Sequence, residues 1–127
     1  MSRTILAVLA VVAVSLAALP AFAQDGRMTV AAFLDTAADI PRNPTAMLRA
    51  DTRRLMGEIR TAARTVRAEQ DAARSAGRPP RTCMPERVSM SPDGLLARFN
   101  AIPPGRRNIT VTQAMREWMA EEHPCPS

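Results

Sequence analysis

The start of the chain differs from the rest in its pattern of apolar and polar residues. Arg3 gives it a positive charge, and the uncharged apolar run Ile5–Leu19 then leads to the small residues Ala21 and Ala23. A basic start, a short apolar run and a small-x-small ending are typical of a secretory signal peptide. The run is short for a membrane span, which needs about 20 apolar residues. We therefore expect residues 1–23 to be a cleaved signal peptide and 24–127 to be one exported helical domain.

After that segment, apolar residues recur at the three- and four-residue steps of a helix face, and no stretch alternates convincingly like a strand. Pro and Gly residues separate the apolar stretches, and Gly77 is suited to end the longest of them. The sequence therefore predicts an all-α fold, a small four-helix bundle. The predicted helices cover about 30–38, 45–75, 92–102 and 111–122, with Thr29, Asn43, Ser91 and Thr110 as N-caps.

The second predicted helix is the longest and the most basic. Its predicted buried stripe consists of Leu48, Leu55, Ile59, Ala62, Val66 and Ala73, with Met47, Met56 and Ala63 alongside. Arginines cover the other faces, and a candidate basic interaction face consists of Arg53, Arg60, Arg64, Arg67 and Arg74. The interpretation that we favour is a solvated helix whose charge is partly compensated by Asp51, Glu58, Glu69 and Asp71.

The charge of the chain is concentrated in that same region. All 17 basic residues are Arg, the formal net charge is +5, and the segment Arg42–Arg81 holds ten Arg against four acidic residues. Clustered arginines can bind phosphates, but an exported protein with 3% aromatic residues lacks the stacking side chains of a nucleic-acid binder. An anionic envelope surface or an acidic protein partner is the more plausible target, and we expect no nucleic acid.

The two cysteines, Cys83 and Cys125, predict a disulfide. An even cysteine count in a small exported chain usually means pairing, because the periplasm and the exterior are oxidising. The bridge would tie the loop before the third helix to the C-terminus, closing the last two helices into a hairpin. The chain-entropy model gives a stabilisation of about 4 kcal/mol for a loop of this size. A redox-active pair is the alternative, although the sequence lacks C-x-x-C.

Catalytic and metal-binding patterns are absent from the sequence. The single histidine, His123, has no second histidine to help it hold a metal, and Cys125 cannot bind as a thiolate once it is oxidised. A histidine at a helix C-terminus, where its charge suits the dipole, is the simpler interpretation. No serine has a recognisable base, and no phosphate-binding glycine loop is present. We therefore expect no enzyme activity, no cofactor and no metal.

The last third of the chain resembles a known family. The motif begins at Cys83-Met84-Pro85, continues through the capped stretch Ser91–Leu96 and the turn Ile102–Pro104, includes Ala114 and Trp118, and ends at His123-Pro124-Cys125. This pattern is similar to the C-terminal half of the Rap/Tai family of periplasmic immunity proteins. The resemblance implies a small all-α protein with a Cys83–Cys125 bridge. It also implies binding to peptidoglycan-cleaving amidase effectors of type VI secretion, commonly as a dimer.

These observations favour an exported, non-catalytic protein-binding module. The most concrete hypothesis is an immunity-like inhibitor of a cell-wall-active toxin in the periplasm, with a secreted hydrolase effector as its partner and a homodimer as its candidate assembly. Secretion from the cell is the alternative location. The alternative functions are a periplasmic stress chaperone and an envelope-associated factor that uses the basic helix.

Overall fold

The computed structural model describes residues 27–126, and within that range the chain is helical with no β-strand. The predicted all-α fold with four helices is confirmed, whereas the predicted signal peptide 1–23 lies outside the described residues. The four helices are α1 (Val30–Ala38), α2 (Ala50–Ser75), α3 (Pro92–Asn100) and α4 (Val111–Glu122), and short 3-10 turns cover Pro44–Leu48 and Pro104–Arg106.

Local side-chain hydrogen bonds fix where the helices begin. The Oγ atoms of Thr29, Ser91 and Thr110 each accept a backbone N–H from the residue three positions later, at 3.0–3.1 Å. Such a bond satisfies one of the donors that the first turn of a helix leaves free. The predicted N-caps of α1, α3 and α4 are therefore confirmed, and each of these helices begins at the predicted residue.

The start of α2 differs from the prediction, because Arg49 adopts an extended conformation (φ −76°, ψ 141°) and breaks the expected 45–75 helix. Thr52 Oγ1 donates to the Ala46 carbonyl at 2.6 Å, and Arg53 Nη1 donates to the Leu48 carbonyl at 3.0 Å. The Ala46 carbonyl also accepts the Arg49 N–H at 3.1 Å, whereas at the Leu48 carbonyl the arginine replaces the N–H that a continuous helix would supply. Helix α2 therefore has 26 residues and is about 39 Å long, which is shorter than the predicted 45–75 helix.

The helices enclose one core of apolar side chains. Helix α4 packs chiefly along α2, while α1 lies across α2, α3 and α4. Phe33 of α1 and Phe99 of α3 meet edge to face, with ring centroids 5.2 Å apart. Met115 and Met119 of α4 are fully buried beside them.

The Cys83–Cys125 disulfide is formed, with the two Cα atoms 4.9 Å apart, and the predicted bridge is confirmed. The Cys83 N–H also donates to the His123 carbonyl at 2.8 Å. The bridge ties the loop before α3 to the end of α4 as expected, but the predicted hairpin is not the main packing, because α3 lies chiefly against α1. Such a bond is typical of proteins that work in an oxidising compartment.

None of the helices within residues 27–126 has the length and apolar character that a membrane crossing needs.

Candidate binding groove

A wide apolar groove lies between α1, the N-terminal half of α2 and α3. Its volume is about 1150 Å³, and it is open to solvent. Leu34 and Ala37 of α1 form one wall together with Ile40, which follows α1, and Leu95 and Leu96 of α3 form the opposite wall. The α2 side and the loop before α3 contribute Met47, Leu55, Met56, Ile59, Ala63, Val88 and Met90.

The predicted buried stripe of the second helix is only partly covered, and part of the uncovered surface lines the groove. Leu55, Ala62, Val66 and Ala73 are buried as expected. In contrast, Leu48 is 76% exposed, Met47 59% and Met56 44%, so the expectation that Leu48 is buried is wrong. The first two lie in the 3-10 turn that the break at Arg49 separates from α2.

Short helices explain why this stripe stays open. Helix α4, with 12 residues, packs along one side of the 26-residue α2, whereas α1 and α3 have only nine residues each and leave the groove between them and α2 open. Concave apolar surfaces between helices are a common location for bound ligands and partner segments. Three methionines, Met47, Met56 and Met90, line it, and their unbranched side chains can adapt to the shape of a ligand.

The charged residues in the lining of the groove are mostly positive. Arg42 and Arg60 line it together with one carboxylate, Asp93. Arg60 is one helical turn from both Met56 and Arg64, so all three lie along the same edge of α2. Arg60 itself lines the groove, and Arg64 is exposed one turn further along this edge.

The structure divides the predicted basic face into two kinds of arginine. Arg67 is half-buried and donates to the Pro85 carbonyl at 2.6 Å and the Glu86 carbonyl at 3.3 Å. Arg53 binds the Leu48 carbonyl beside the break described above. Arg60, Arg64 and Arg74 are exposed and make no hydrogen bond or ion pair within the described residues. The first two arginines therefore stabilise the fold, and the other three present charge to solvent.

The α4 side of the molecule is electrostatically different. Glu69 accepts a bidentate pair of hydrogen bonds from Arg116 of α4, with an Nη2–Oε1 distance of 2.7 Å, instead of compensating the exposed arginines of α2. This hydrogen bond raises the pKa of Arg116 above its ordinary value. Arg98 forms an ion pair with Glu121, and Arg106 forms one with Glu117. The Arg98 guanidinium also lies 5.9 Å from the ring centroid of Trp118.

The C-terminal half of α2 is occupied by the disulfide loop. Gln70 is 3% exposed, and its Oε1 accepts the Met84 N–H at 2.7 Å and the Thr82 hydroxyl at 3.2 Å. Arg67 holds the next two carbonyls of this loop. The apolar surface that α2 leaves uncovered therefore lies in its N-terminal half.

No group of three histidine, cysteine or carboxylate side chains lies close enough to hold a metal ion among residues 27–126. His123 lies at the C-terminus of α4, where the sequence predicted it, and its N–H donates to the Met119 carbonyl. A second cavity, about 160 Å³, lies beside the Glu69–Arg116 pair and is bordered by Gln70 and Thr82. Glu69 and Arg116 are paired there, as are Gln70 and Thr82, while the exposed Arg78 and Arg81 form part of the rim.

No family model, no curated protein and no solved structure matches this chain.

Proposed function

We propose that this chain is an exported binding protein that holds a segment of another protein in the groove between α1, α2 and α3. The observation that carries the proposal is the open apolar surface at Met47 and Met56, both of which are exposed and line the groove. Grooves of this kind between helices accommodate amphipathic segments of partner proteins, whose apolar face replaces water against the wall. The groove contributes no recognisable catalytic set, so binding is the activity that we assign to it.

The more specific proposal is an immunity-like inhibitor that binds a cell-wall amidase in the periplasm. Two features agree with what the resemblance of the last third implies: the all-α body and the bridge between Cys83 and Cys125. The disulfide supports an oxidising location. A partner bound in the groove would be a folded toxin, which the inhibitor blocks by occupying surface near its active site.

Site-specific crosslinking tests the general proposal. A photo-reactive amino acid in place of Met56 is expected to crosslink one partner protein in an extract of the exported proteins of the producing cell. The same probe at Ala72, which is exposed on a different face of α2, serves as the matched control and should give none. Equal crosslinking at both positions, or none at Met56, would refute the assignment of the groove.

The identity of the crosslinked protein tests the specific proposal. A partner that hydrolyses peptidoglycan, and that loses this activity when one equivalent of the present protein is added, supports the inhibitor. A methionine-lined groove also favours a second candidate, a stress chaperone, because adaptable side chains suit many clients. Crosslinking of Met56 to many unrelated polypeptides would favour the chaperone and contradict the inhibitor.

A further inference from the structure

We infer that the segment held in the groove is an amphipathic helix with an acidic edge, and that Arg60 and Arg64 of α2 recognise this edge. The inference rests on the proposed function, which assigns a protein segment to the groove. It adds the conformation and the charge of that segment.

The dimensions of the groove suit a helix. Its α2 wall extends from Thr52 to Ala63, which is about 18 Å along the axis or three helical turns. A docked helix of three turns presents apolar side chains at positions i, i+3 or i+4, and i+7. Leu34, Ile59 and Leu95, from three different helices, would contact such a row from the two walls and the α2 side.

The charge along the edge selects an acidic partner. Arg60 lines the groove and Arg64 follows one turn later, and neither has a partner within the described part of the chain. Glu69, on the same helix, is held by Arg116 and faces α4. Asp71 lies one helical turn after Arg67 and one before Arg74. Its negative charge is therefore close to the positive charges at the C-terminal end of the basic face and far from the part that borders the groove. Carboxylates at a four-residue spacing on the docked helix would therefore face Arg60 and Arg64.

The same charges disfavour the other occupants of the groove. In a symmetric pair of copies the same patch lies on both sides of the interface, so Arg60 and Arg64 of both copies would be brought to one interface in which Asp93 is the only carboxylate among the described residues that line the groove. A membrane is a broad surface, whereas Leu55 is buried and Ile59 half-buried within a concave groove. An acidic helix satisfies both the concave shape and the charge.

Synthetic peptides test the inference directly on the whole protein. Three helical peptides of about 15 residues share one row of leucines and differ only in the residues of one edge, which are Glu, Gln or Lys. Fluorescence anisotropy should show the Glu peptide binding at least about tenfold more tightly than the Lys peptide, with Gln between them. The preference for Glu should weaken as salt is added, because exposed charges are screened.

Arginine variants identify the residues responsible. The double substitution Arg60→Gln and Arg64→Gln should remove most of the difference between the Glu and Lys peptides. The matched control, Arg74→Gln with Arg78→Gln, removes the same charge from exposed positions far from the groove and should leave the difference unchanged. Circular dichroism melts of both double variants show whether they are folded like the parent protein.

Each other outcome contradicts the inference in an identifiable way. Equal binding of the three peptides overturns the acidic edge but leaves the proposed function in place, whereas no binding of any of them overturns both. Tighter binding to phosphatidylglycerol vesicles than to the Glu peptide would assign the edge to a membrane. A dimer in sedimentation equilibrium that Met56→Glu abolishes would assign the groove to a second copy.

Discussion

Gln70 shows how much a single buried polar side chain contributes to this fold. It lies on the core face of α2, and its amide exchanges hydrogen bonds with the backbone of Met84 and the hydroxyl of Thr82. Both partners lie in the loop beside Cys83, where no helix or strand supplies backbone hydrogen bonds. The Gln70 side chain therefore supplies hydrogen bonds to the backbone of this loop that a helix or a strand would supply elsewhere.

Replacing Gln70 with Leu should destabilise the protein by about 1–3 kcal/mol, because the buried Met84 N–H would lose its acceptor. Urea unfolding of the oxidised protein, followed by far-ultraviolet circular dichroism, measures the change. Asp71→Ala, at the exposed neighbouring position, is the control and should change the free energy of unfolding by less than about 0.5 kcal/mol. A similar small effect at Gln70 would show that water replaces the lost bonds.

At the scale of the elements, the helix starts could be predicted from the sequence because their signals are local. A threonine or serine beside an apolar stretch caps whatever helix follows it, and Thr29, Ser91 and Thr110 do so. The break at Arg49 could not be predicted, since neither Gly nor Pro marks it. It depends on Thr52 and Arg53 reaching back to carbonyls of the preceding turn, which a pattern of apolar residues does not record.

The end of α2 could also be predicted, because glycine is common directly after the last turn of a helix. Gly77 indeed has a positive φ of 68° and closes the helix. Its N–H donates to the Arg74 carbonyl, and the Arg78 N–H donates to the Ala73 carbonyl. Gly77→Ala should therefore cost about 1–2 kcal/mol, since a Cβ disfavours the left-handed conformation. Gly57→Ala, inside the same helix with open space around the added Cβ, should instead stabilise by about 0.5–1 kcal/mol.

Thermal unfolding of both glycine variants checks this opposite pair of effects. Two changes of the same sign would mean that helix propensity, rather than the conformation at Gly77, decides the outcome.

The contact between α2 and α4 includes the Glu69–Arg116 ion pair, whose side chains are 47% and 31% exposed. Exposed pairs contribute about 0.2–1 kcal/mol, and the bidentate geometry favours the upper part of that range. A double-mutant cycle with Glu69→Gln and Arg116→Gln measures the coupling.

The raised pKa of Arg116 also predicts how this ion pair depends on pH. Its contribution to the free energy of unfolding persists from neutral pH to strongly basic solution and is lost only as pH rises through the raised pKa. Coupling that falls between pH 7 and 9 would contradict this assignment.

At the scale of the whole molecule, the sequence predicts the apolar stripe of the second helix but not which part of it becomes a groove. Periodicity places Leu48, Met56 and Leu55 together as candidates for burial. Whether a partner helix covers each of them depends on the lengths and positions of α1 and α3, which are tertiary properties. The pairing of Glu69 with α4 is another example, because helix spacing alone suggested that this carboxylate compensates arginines of α2.

The disulfide connects the stability of the whole molecule to the groove. The loop that follows Cys83 contributes Val88 and Met90 to the groove lining, and this loop is held by the bridge and by Arg67 and Gln70. Reduction with dithiothreitol should lower the free energy of unfolding by about 4 kcal/mol, because the unfolded chain regains the freedom that the cross-link removes. Urea titrations of the oxidised and reduced protein measure this difference.

Because this loop forms part of the groove, we expect reduction of the disulfide to weaken peptide binding as well. In the absence of urea, the reduced protein should bind the Glu-edged peptide more weakly than the oxidised protein, because the wall formed by Val88 and Met90 is then less constrained. The variant with both Cys83→Ala and Cys125→Ala should behave like the reduced protein and should not respond to dithiothreitol. Unchanged peptide affinity in a reduced but folded protein would mean that Arg67 and Gln70 hold this wall without the bridge. The disulfide would then stabilise the fold while leaving the groove independent of redox conditions.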